Sequence, residues 1–122
     1  VFINHVSVGT NDISAAIRFY DAVFATLQIQ RSHVIDGVSA SYGESFEFWV
    51  GSPCDGEPTS GNGSHVAFSA PTTQSVDEFY QVALKQGGRC GGKPGLRPLY
   101  GRTYYAAYIY DLDENKIEAV CC

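Results

Sequence analysis

Apolar side chains recur at steps of three and four residues in two separate stretches of this 122-residue chain. Ile13, Ala16, Ile17, Tyr20, Val23, Phe24 and Leu27 form one stripe, which predicts an amphipathic helix over 10–27 with Asn11 or Asp12 as its N-cap. The stretch 72–88 repeats the pattern, with Thr72 or Thr73 near its start and Gly87-Gly88 at its end. Elsewhere the apolar residues alternate or cluster in short β-branched runs. These predict extended segments over 2–8, 28–36, 38–43 and 45–51, and again over 64–70, 104–111 and 116–122. The interval 52–63 is rich in Pro, Gly, Ser and Asn and reads as an exposed linker. The interval 89–103, "RCGGKPGLRPLYGRT", reads as a long turn-rich loop.

The order of these segments repeats. "HVSV" begins at His5 and "HVAF" at His65, and in both halves a Phe-Tyr pair (Phe19-Tyr20, Phe79-Tyr80) follows fourteen residues after the histidine. Each half closes on a similar strand, "SFEFWV" around Glu47 and "KIEAVC" around Glu118. The second half is longer by about eleven residues, which the loop at 87–103 can absorb. The pattern predicts one α+β domain over 1–122, made of two strand–helix–strands modules at roughly 1–51 and 64–122 with the linker 52–63 between them.

Duplication changes the meaning of four residues. A lone histidine or glutamate in a strand is most often on a solvated face, and His33, which has no counterpart, is read that way. Glu118 instead stands among Ile117, Ala119 and Val120, where an unpartnered carboxylate costs several kcal/mol. With His5, His65 and Glu47 at matching places, two imidazoles and one or two carboxylates can converge if the modules pair their sheets. That donor set suits Zn²⁺, Ni²⁺, Fe²⁺ or Mn²⁺. Alternation puts Trp49 on the face of Glu47, as an aromatic wall or as plain core. It puts Tyr104, Ala106, Tyr108 and Tyr110 on one face of their strand, either lining the cup or packed under the helices. Arg97, in the long loop, is placed to hold an anionic substrate group or to sit solvated at the rim.

Charge and cysteines narrow the classes. A net charge of −5, with eight Lys and Arg scattered singly, argues against a nucleic-acid surface. No apolar run approaches the ~18 residues of a membrane span. Cys54, Cys90, Cys121 and Cys122 form no C-x-x-C pair, which excludes a zinc ribbon and predicts free thiols in a reducing, cytoplasmic setting, with a secreted, disulfide-bonded protein as the alternative.

Over nearly its whole length the chain resembles the vicinal oxygen chelate superfamily, which holds glyoxalase I, bleomycin resistance proteins and extradiol dioxygenases. The resemblance is carried by "NHVSVGTNDISAAIRFYDAVF", "GNGSHVAFSAP" and "YYAAYIYDLDENKIEAV". The last is similar to the family's "DPDGN-x-[IF]-E" turn, with Leu112 and Glu114 in place of its Pro and Gly. The resemblance implies two βαβββ modules forming a cupped, mostly antiparallel sheet, and a homodimer whose sites form within one chain or across two. It implies His5, His65 and Glu118 as metal ligands, with Glu47 as the fourth ligand of glyoxalase-type members. A divalent metal holding two neighbouring oxygens of a small substrate, with Glu118 or Glu47 moving a proton through an enediolate, is the activity expected first. An Fe²⁺ extradiol dioxygenase or a metal-free binding and resistance protein are the alternatives. Trp49, Arg97 and Tyr104 are the expected substrate contacts.

Overall fold

A computed structural model describes residues 2–122; Val1, the expected start of the first module, lies outside the described residues. The chain runs β1 (Val6–Gly9), α1 (Ile13–Ala25), β2 (Arg31–Ile35), β3 (Ser39–Tyr42), β4 (Phe48–Gly51), then β5 (Val66–Ser69), α2 (Thr73–Lys85), β6 (Arg89–Leu96), β7 (Tyr105–Tyr110) and β8 (Lys116–Cys121). These are the two βαβββ modules. Each forms its own four-stranded sheet, ordered β1-β4-β3-β2 and β5-β8-β7-β6. In each, the first and last strands pair in parallel and the other pairs are antiparallel.

The helix starts follow from their caps. Asp12, rather than Asn11, accepts from the Ala15 amide through its side chain. Thr72 accepts from the Ser75 amide while the Ser75 hydroxyl accepts from the Thr72 amide, a reciprocal box that satisfies two otherwise unpaired donors. Both helices lay their apolar stripes on the module sheets.

One expectation is corrected. The segment expected to be a loop over 89–103 begins with an eight-residue strand, β6. Its Gly and Pro content hides the strand signal, and the structure tolerates it because β6 pairs only with β7 and lies at the sheet edge. The register shifts twice, between Cys90 and Gly92 and between Gly92 and Gly95, as glycine-rich edges allow. Only the remainder of the segment is a turn. β1 is also shorter than predicted, beginning at Val6, so that His5 stands just before it.

The modules meet through aromatic and polar contacts. Phe68 of β5 packs edge-on to Phe24 (4.7 Å between centroids) and Phe48 (5.1 Å) of the first module. The Tyr20 hydroxyl donates to Asp111 Oδ2 at 2.5 Å, and Asn115 Nδ2 donates to the Gly9 carbonyl at 3.1 Å. Burial, then the nearby Asp111 charge, pushes the Tyr20 phenol well above its usual range, so it stays a donor. Tyr20→Phe is expected to lower stability by about 1–2 kcal/mol, leaving a buried carboxylate short of one donor. Urea denaturation should show an earlier midpoint with unchanged slope; an unchanged midpoint would mean the bond adds nothing.

Candidate metal and substrate site

The strand ladders place the site residues. In β8 the register sets Glu118 beside Ala67 of β5 and Tyr108 of β7, so its side chain shares their face rather than the helix-covered one. Glu118 is 1% exposed, yet both its oxygens have partners. His65 Nε2 lies 3.0 Å from Oε1, and the Tyr104 hydroxyl donates to Oε2 at 2.5 Å. That bond first, and then burial, pushes the Tyr104 phenol upward, so it remains protonated as the donor. The His65 ring stands 5.9 Å from that of Tyr108, nearly edge-on.

The other two proposed ligands lie elsewhere. His5 is exposed, with Nδ1 at 2.8 Å from Asn4 Oδ1. It lines a cavity of about 610 Å³ with Ser7, Trp49 and the linker residues Pro53 and Pro58. Glu47 is not in that cavity: its Oε1 accepts from the Ser45 amide at 2.8 Å, inside the turn that precedes β4. The register explains this. Val6 pairs with Phe48 and Val66 with Ile117, so when His5 is matched to His65 the counterpart of Glu118 is Trp49, and that of Glu47 is Lys116. Among the described residues of one chain, no three His, Cys, Asp or Glu side chains gather at a common point.

Trp49 donates its indole N–H to the Phe46 carbonyl at 3.0 Å, which fixes the ring along the cavity wall. Arg97 follows β6 directly; its amide donates to the Tyr104 carbonyl at 2.8 Å and its Nη2 to the Lys93 carbonyl at 2.6 Å. Tyr108, Lys93 and Lys116 complete the surroundings of His65, though the sequence reading singled out none of them as a contact. Tyr108 stands on the face predicted from alternation, and Lys116 two residues before Glu118 on its own, so strand periodicity could have found both.

The residues present suit a divalent ion in part. Two donors bound cis at about 2.1 Å stand about 3.0 Å apart, the separation of His65 Nε2 and Glu118 Oε1, which is also that of an ordinary hydrogen bond. An imidazole nitrogen and a carboxylate oxygen are the right atoms, and a third ligand has to come from outside this group.

The Glyoxalase/Bleomycin resistance protein/Dioxygenase superfamily model matches residues 2–119, and the chain belongs to that superfamily. A glyoxalase/bleomycin resistance protein from Albidiferax ferrireducens T118 is 33% identical, with 100% of both chains covered and a TM-score of 0.90. Two more distant structures share the fold. Lactoylglutathione lyase from Agrobacterium tumefaciens is 20% identical, with 98% of this chain and 92% of that chain covered at a TM-score of 0.68. A glyoxalase-related enzyme from Fulvimarina pelagi is 16% identical, with 98% and 87% covered at a TM-score of 0.77. No match is found among the curated proteins.

Proposed function

We propose that the protein binds a divalent metal through His65 and Glu118 of one copy and His5 of a second, and acts on a small substrate bearing two neighbouring oxygens. The observation that carries this reading is the pairing of a buried carboxylate with His65 on the open face of the second sheet. Among the described residues of one chain no His, Cys, Asp or Glu joins that pair as a third donor, and a dimer that sets two modules of different copies face to face supplies His5. When bound, the metal supplies Lewis-acid polarisation of the substrate oxygens. Tyr104 holds Oε2 of Glu118 and leaves Oε1 directed at His65, so the carboxylate is oriented before substrate arrives. A proton removed from the substrate carbon rests on that carboxylate, the arrangement of a lyase or isomerase. Trp49 gives the facing wall an apolar surface that keeps water from the reacting carbon. Glu47 takes no part in this reading, since its carboxylate is engaged in its own turn.

A second reading is favoured by the register. With Trp49 at the fourth corner, the set is two histidines and one carboxylate, the donor composition of non-haem Fe²⁺ oxygenases. Oxygen uptake with catechols separates the two activities.

The test is metal content by mass spectrometry on protein purified without chelator. About one divalent ion per site is expected, with His5→Ala and Glu118→Gln each lowering occupancy about tenfold or more. Full retention in both variants removes the reading. A metal-free protein whose ligand binding survives EDTA points instead to sequestration, in which the bonds to Tyr104 and His65 satisfy the buried Glu118 carboxylate without a metal.

A further inference from the structure

We propose that Lys93, Arg97 and Lys116 form an oxyanion subsite beside His65, which takes a carboxylate or phosphoryl group of the ligand. It deepens the reading above, and rests on it only in placing the anion on the molecule that reaches His65 and Glu118. The cluster itself stands on separate observations.

A cavity of about 630 Å³ next to His65 is lined by these three cations, Gly92 and Tyr108 among others, and by no Asp or Glu. A chain with thirteen acidic and eight basic residues thus sets three of the eight around one hollow. Such local sign reversal in an acidic protein attracts anions to that spot alone. None of the three is in an ion pair among the described residues. The ion pairs among the described residues are Arg31–Asp21, Arg89–Glu114 and His65–Glu118.

Tyr108 organises the cluster. The Arg97 guanidinium carbon is 5.5 Å from its ring centroid and Lys116 Nζ is 5.0 Å from the same point. One cation over a ring near the surface gains about 0.5–1 kcal/mol, but a second against the same ring adds repulsion that a bound anion relieves. Arg97 is held in place: Nη2 donates to the Lys93 carbonyl, which ties the guanidinium to the strand carrying Lys93. The bare backbone at Gly92 keeps room for it, since a Cβ there would lie 3.0 Å from Tyr108 Cδ1 and 3.3 Å from Arg97 Nη2. Glu118 shares the face of Tyr108, but its oxygens are held by His65 and Tyr104 and it is absent from the cavity lining, so the groups presented to the hollow are the three cations. A forked guanidinium flanked by two ammonium groups matches the oxygens of a carboxylate or phosphoryl group.

The experiment is a nitrogen-15 NMR titration of the full chain with inorganic phosphate and, separately, acetate, at constant ionic strength. The Gly91 and Gly92 amides are expected to move saturably with at least one probe, and the tighter probe identifies the group. Arg97→Gln and Lys116→Gln should each weaken binding about fivefold or more, whereas the exposed Arg102→Gln should leave it unchanged. Spectral dispersion verifies that each variant is folded. Shifts that never saturate, or equal affinity in all variants, overturn the proposal. Metal content of Arg97→Gln should match the unaltered chain, so loss of the anion site and loss of the metal site read out separately.

Discussion

Mixing His5→Ala chains with Glu118→Gln chains, after brief unfolding to let subunits exchange, is expected to restore metal to about a quarter of the sites. Each variant alone holds little. In a two-fold dimer whose sites pair the first module of one copy with the second module of the other, a mixed dimer contains one site with both lesions and one with neither. Random exchange makes half the dimers mixed, and half of their sites are whole. The expectation follows from the separation of His5 from the His65–Glu118 pair within a single chain. A site built inside one chain gives no restoration at all, because every copy carries a lesion. Mass spectrometry of the metal in the mixture, beside the two unmixed variants, decides between them.

Phe24→Ala is expected to be the most damaging single core change, at about 3–5 kcal/mol. Phe24 is 1% exposed and its ring lies 5.4 Å from Tyr20, 4.8 Å from Tyr42, 5.4 Å from Phe48 and 4.7 Å from Phe68. The first three belong to its own module and the last to the other, so truncation opens a void where the halves meet. A chain of this size has about 5–15 kcal/mol in total, and such a loss approaches unfolding near physiological temperature. Chemical denaturation measures it. A loss below about 1 kcal/mol would show that neighbouring rings close the gap.

The helices and the modular repeat were legible because they rest on local chemistry. Asp12 and Thr72 cap where capping residues precede an apolar stripe, and the Phe-Tyr pairs recur because both helices cover the same kind of sheet. Glu118 was legible as a misplaced charge, and its His65 partner as half of a duplicated pair. Glu47 was misaligned with Glu118 for a physical reason. Phe46 turns to φ 59° just before β4, so the alternation that relates Ser45, Glu47 and Trp49 on paper is broken at the turn. β6 escaped notice because an edge strand needs no bulky side chains to hold it. The proposed union of His5 with His65 lay beyond strand periodicity altogether, since it rests on how modules meet and not on the order of residues along a strand.

Trp49 is the chain's sole tryptophan, and the bond from its indole to the Phe46 carbonyl fixes it against the cavity that His5 lines. The fluorescence of the protein therefore comes from one known spot on the wall of the proposed site. Seven phenylalanines and eight tyrosines elsewhere contribute nothing when excitation is confined to the red edge. Binding can then be followed by light on the unmodified chain, with no label to disturb the walls.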